Sequence, residues 1–140
     1  MYLSGRFFDR KSRLVTVMIS TTGDGGSLEI GSDESGVYFA DDPVEIASNV
    51  NDTFDHLLRH SATIRLLTKS FLPGLFCTNC RNAVVNIYRD SKCLFAGFLE
   101  PQTYSQPYNE VLDELELNCI DALSALQFSK YLNVGQTGAD

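Results

Sequence analysis

Apolar and polar positions alternate along most of this chain with the short period of β-strands. Phe7-Phe8 and the run Leu14 to Ile19 flank the polar stretch Asp9-Arg10-Lys11-Ser12-Arg13, which predicts strand, turn and strand. The second run is rich in β-branched residues and apolar at nearly every position, a pattern that predicts burial on both faces. Gly23, Gly25 and Gly26 then break the pattern into a loop. Ser27 to Ser32 sets Leu28 and Ile30 against Glu29, a half-buried strand. Val37 to Ala40 is a further short strand, and Val44 and Ile46 alternate around Glu45 just after Pro43, where an edge strand or a strand's first residue tolerates proline. Asn51 to His60 reads as a turn or helical loop, with Phe54, Leu57 and Leu58 on one side. Ser61 to Ser70 returns to a strand.

The sharpest signals lie between Asn82 and Tyr131. Ala83 to Arg89 and Cys93 to Leu99 form a predicted hairpin joined by Asp90-Ser91-Lys92. Val111 to Ile120 alternates strictly, with Val111, Leu115, Leu117 and Cys119 sharing one face with Asp113, and Glu114, Glu116 and Asn118 on the other, the pattern of an antiparallel strand with one wet face. Asp121 is placed to cap a helix over Ala122 to Tyr131. Six to nine strands and one helix predict a mainly β (α+β) fold, an antiparallel β-sandwich or barrel with a C-terminal flanking helix. At 140 residues the chain is expected to form one domain over 1–132, with 133–140 a flexible tail or the start of a linker.

Composition narrows the function classes. The net charge of −7 argues against a surface that grips nucleic acid by neutralising phosphates, and it suits a wall past which nucleic acid slides. No apolar run reaches the roughly 18 residues of a membrane helix, and the charged N-terminal stretch lacks a secretory pattern. Neither membrane binding nor a cofactor is expected.

The candidate chemistry is thin. Cys77 and Cys80 form a C-x-x-C pair that a structural zinc would use, but Cys93 and Cys119 make no second knuckle. Free thiols packing as small apolar groups are the simpler reading. His56 and His60 stand four apart with Leu57 where a metalloprotease needs its glutamate. A mixed site of His56, His60, Cys77 and Cys80, a small metal-stabilised binding module on Cys77 and Cys80, and a cell-wall hydrolase pairing His56 with Asp52 or Asp55 are the alternatives. None supplies a complete catalytic constellation, so no enzyme activity is expected. Tyr104, Gln106, Pro107 and Tyr108 make a loop of interface character, or one that folds back onto the sheet.

The segment from Pro43 through Ile87-Tyr88-Arg89-Asp90, with Gly97 to Pro101 (GFLEP), Tyr104 to Asn109 (YSQPYN) and Leu115 to Gln127 (LELNCIDALSALQ), resembles the N-terminal domain of bacteriophage and prophage tail proteins of the hub or tip class. The resemblance covers roughly Ser4 to Tyr131 and lies in the order and spacing of short motifs. It implies a tail-tube-like β domain that assembles side by side into a ring around the tail channel, joining the tube to baseplate or other distal tail parts. DNA would be passing cargo, and the place of action the virion tail, assembled in the bacterial host cytoplasm. Members of the family are usually much longer, which implies that the chain is a fragment or N-terminal domain. No catalytic residues carry over.

Overall fold

A computed structural model describes residues 1–49, 58–101 and 111–128. Eight strands make up almost all of it: β1 (Tyr2–Phe8), β2 (Leu14–Thr21), β3 (Ser27–Ile30), β4 (Val37–Asn49), β5 (Arg59–Thr68), β6 (Ala83–Arg89), β7 (Lys92–Leu99) and β8 (Asp113–Asp121). They form one sheet in the order β3-β1-β2-β6-β7-β8-β5-β4. Every pairing is antiparallel except that of β1 with β3. The sheet curls into a nearly closed barrel, and the mainly β expectation holds.

Alternation places the core. Leu3, Val17, Ile19, Ile64, Leu66, Val85, Ile87, Phe95, Leu115 and Leu117 point inward and are buried in one continuous cluster. The interior is therefore filled with side chains, as small barrels are. The loop after β5 stoppers one end. Leu72 and Leu75 enter the core cluster, and the buried Thr21 hydroxyl donates to the Gly74 carbonyl at 2.6 Å, tying that loop to the end of β2.

The sheet closes where β3 and β4 meet over Gly5. A Cβ there would lie 2.5 Å from Ile30 Cβ and 2.9 Å from the Phe39 ring, so the absence of a side chain lets the two edges approach. Phe39 crosses edge to face with Phe7 at 5.0 Å, and the Gly31 amide donates to the Val37 carbonyl at 2.7 Å.

Several expectations are corrected. In β2, Val15, Val17, Ile19 and Thr21 are buried while the alternate residues are half-buried or exposed, because the inner face of a filled barrel takes only every second side chain. The β6–β7 connection is two residues, not three: Arg89 pairs with Lys92, Asp90 takes the left-handed φ of 53°, and the register slips by one residue farther along the hairpin. The segments around Val37 and Val44 are one strand with an internal break rather than two, and β8 begins at Asp113, leaving Val111 before the strand and exposed rather than on its apolar face. Arg59 and His60 belong to β5, not to a helical loop, and 50–57 lie outside the described residues.

The C-terminal helix is, among the described residues, a short 3₁₀ turn, Ser124–Phe128; 129–140 lie outside them. The cap is present nonetheless. Asp121 Oδ1 accepts from the Ser124 amide at 2.7 Å, and its Oδ2 accepts from the His60 amide at 2.7 Å. One carboxylate thus ties the start of β5 to the turn after β8. That turn lies on the outer face, where Ala125 joins Cys80, Ile120 and Phe98 in a second apolar cluster.

Two measurements test this account. Gly5→Ala is expected to lose about 1–3 kcal/mol in urea unfolding, since the neighbours are Ile30 and an aromatic ring rather than a flexible tip; an unchanged midpoint would contradict closure over Gly5. Partial burial opposes ionisation of Asp121, but the His60 and Ser124 bonds prevail and hold its pKa below the usual 3.8. The stabilisation is therefore present above that ordinary value and is lost as pH falls through the lower folded one. Asp121→Ala is expected to cost about 1 kcal/mol at pH 7 and nothing below the folded pKa; a difference that persists in acid would contradict the assignment.

Candidate assembly edge

The two edge strands are unequal. β3 has four residues and β4 has thirteen, so β3 can cover only the first part of β4. From Asp41 onward the outer side of β4 pairs with no strand among the described residues, and Asp41, Asp42, Glu45, Ile46, Ala47 and Ser48 are exposed. A bare edge is a template for another chain unless something guards it.

Its shape follows from a register break. Phe39 pairs with Leu66 and Val44 with Ile64, so four residues, Ala40 to Pro43, bow outward opposite Arg65 alone. The Arg65 guanidinium holds the bow in place. Its Nη1 donates to the Asp42 carbonyl at 3.4 Å and lies 3.8 Å from the Asp42 carboxylate; Nη2 meets Glu45 Oε2 at 3.1 Å, and Nε meets Glu116 Oε2 at 3.3 Å. The Glu45 hydrogen bond raises the arginine's pKa most; burial opposes it, and the Glu116 hydrogen bond and the charges of both carboxylates tip the balance upward. Glu116 sits directly across the ladder from Arg65 on β8, while Glu114 is exposed on the same wet face. The result is an acidic stripe whose carboxylates come from β4 and β8, with the Arg65 guanidinium of β5 between them and Arg59 exposed at the start of the same strand.

Three features of this edge oppose simple strand addition. Pro43 offers no N–H, the bow breaks the register, and the carboxylates of Asp41, Asp42 and Glu45 repel a like-charged copy of the same strand. The edge is open but selective.

The sequence-predicted chemistry falls elsewhere. Cys77 packs against the main core and directs its thiol at the Asn82 carbonyl, 3.7 Å away, whereas Cys80 is buried in the separate outer cluster. Among the described residues, no three His, Cys, Asp or Glu side chains are grouped to hold a metal ion. Cys119 is buried in the barrel, and burial, aided by the charge of Glu100, pushes its thiol up to about 12; Cys93 is exposed. His60 Nδ1 lies 3.0 Å from the Ser48 hydroxyl, on the open end of β4. His56, Asp52, Asp55 and the interface candidates Tyr104, Gln106, Pro107 and Tyr108 lie outside the described residues. The Arg65 clamp was missed by sequence reasoning. Its only trace there is an arginine on the polar face of a strand with carboxylates on two other strands, and the pairing of those strands is not written in local pattern.

No family model, curated protein or solved structure matches the chain.

Three expectations follow. Arg65→Ala should lower the melting temperature at low ionic strength, with the deficit shrinking as salt screens the carboxylates left facing one another; a salt-independent change would contradict the clamp. With a thiol reagent, Cys93 should react rapidly and Cys119 only on unfolding, and equal rates would overturn these placements. Protein prepared without added metal should hold less than about a tenth of an equivalent of zinc; a full equivalent lost on Cys77→Ser would restore the metal reading.

Proposed function

We propose that this chain is a structural component of a phage or prophage tail, the N-terminal domain of a hub or tip protein that assembles into a ring around the tail channel and joins the tube to distal tail parts. The observation that carries the reading is the edge of β4, long, exposed and paired with no strand among the described residues from Asp41 onward, on an otherwise nearly closed barrel. A small barrel with a filled interior has no lumen in which to hold a ligand or build a cleft, so its working surface is its outside. The order of motifs that resembles tail hub proteins supports the reading from the sequence side: IYR ends β6 with Asp90 in the turn after it, GFL ends β7 and LELNCI lies within β8.

Two further features fit. The acidic balance of the whole chain, a net charge of −7, would give a channel wall that repels DNA phosphates and lets cargo slide. Exposed Ile46 and Leu58 lie at the end of the β4–β5 pair, where a neighbouring subunit would cover them. In this reading the protein acts in the virion tail, does no catalysis and binds no cofactor. Negative-stain electron microscopy of the chain, alone and beside tail tube protein, is expected to show rings or capped tubes. Dispersed monomers under both conditions would overturn the proposal.

A further inference from the structure

The opposite charge is concentrated at one place. The β1–β2 turn and the β6–β7 turn stand side by side and bring together Arg10, Lys11, Arg13, Arg89 and Lys92, five of the chain's eleven basic residues, with only Asp9 and Asp90 of its eighteen acidic ones. Both turns are held rigidly. The Asp90 amide donates to the Leu14 carbonyl at 2.7 Å, and the Leu14 amide donates back to Asp90 Oδ1 at 3.3 Å. Asp9 accepts from the Lys11 and Arg13 amides at 2.8 and 2.9 Å and pairs with the Arg13 guanidinium at 2.7 Å. Those bonds hold the Asp9 carboxyl below its ordinary range and use both acidic groups of the tip internally.

Arg10, Lys11, Arg89 and Lys92 make no ion pair within the described residues. Arg13, Arg89, Asp90, Ser91 and Lys92 line a shallow depression of about 490 Å³. At the end of β1, across the ladder from Leu14, stands Phe8, 71% exposed. A rigid basic depression with one bare aromatic has the make-up of an interface centre.

We propose that this basic tip docks on the acidic β4–β5–β8 stripe of a second copy of the chain. The inference rests on the ring reading and adds to it the surface that meets the guarded edge. Charge complementarity chooses the occupant. The stripe carries Asp41, Asp42, Glu45, Glu114 and Glu116 around Arg65, with Arg59 and Lys69 at the two ends of β5, and it lies on the outer side of β4, β5 and β8, whereas the tip lies at the turn ends of β1, β2, β6 and β7. Complementary patches at different places on one molecule give a head-to-tail contact, and such contacts close into rings when the rotation allows. Single exposed ion pairs contribute little, so the charges orient the encounter and the Phe8 ring supplies buried area.

The test uses two double variants of exposed residues, Lys11→Glu with Lys92→Glu, and Asp41→Lys with Glu114→Lys, each checked by thermal unfolding against the native chain. Self-association is followed by sedimentation between about 50 and 500 mM salt, a range over which screening of exposed charges becomes nearly complete. The native chain is expected to associate at low salt and to disperse at high salt. Each variant alone should associate at least roughly tenfold more weakly, and an equimolar mixture should recover the native assemblies, since each reversed patch then faces its complement. Native-like association of either variant, or a mixture that stays dispersed, would overturn the docking; rings seen by microscopy in that case would leave the tail reading standing. A native chain that stays monomeric at every salt concentration also overturns it. Labelled duplex DNA is titrated in parallel: if Lys11→Glu with Lys92→Glu abolishes DNA binding but leaves association intact, the tip is a phosphate surface and the proposal fails.

Discussion

Four residues of β4 face one residue of β5, and most of what is distinctive here depends on that mismatch. Ala40 to Pro43 bow away from the sheet opposite Arg65, and without the guanidinium the Asp42 carbonyl and the carboxylates of Asp42, Glu45 and Glu116 would have no common partner. Arg65 gathers them. In doing so it decides the shape of the free edge, displays Asp41 and Asp42 outward and divides β4 into an inner half that seals the barrel and an outer half that leaves it open. A charge-assisted contact at the surface is worth little as stability. Its value lies in fixing one geometry for an edge that would otherwise be available for unspecific pairing.

The inner half of β4 is governed by sterics rather than charge. Closure over Gly5 brings Ile30 and Phe39 to within contact of a position with no Cβ, so the barrel is sealed by dispersion between groups that a single methyl would separate. Sealing at one end of β4 and opening at the other are consequences of unequal edge lengths: four residues of β3 cannot match thirteen of β4. The interior is filled with side chains, and the outer surface carries two patches of opposite sign on different strands.

How much of this was legible beforehand depended on whether the determinant was local. The strand of Leu115, Leu117 and Cys119 with its wet face of Glu114 and Glu116, the hairpin on either side of Asp90 and the cap at Asp121 could all be read, because side-chain alternation and capping act within a few residues. The extent of the C-terminal helix could not. Leu123 and Leu126 suggested an amphipathic stripe, but the structure leaves Leu126 exposed and buries Ala125, so packing against Ile120 and Phe98 overrode the local period. The edge and its clamp were illegible for a different reason: Arg65, Asp42 and Glu116 meet only through strand pairings separated by up to 51 positions, and the basic tip joins two turns about 80 residues apart in the chain. Pro43 alone hinted at an edge.

The most direct test of the assembly account is amide hydrogen exchange over Asp41 to Ser48, compared between dispersed chain and the assembly formed with tail tube protein. A segment whose outer backbone groups face water should exchange quickly in the dispersed state and slow markedly once a neighbour covers it. Slowing of that segment, with core strands such as β6 unchanged, is the expected result. Equal exchange in both states would contradict the placement of the subunit contact on this edge.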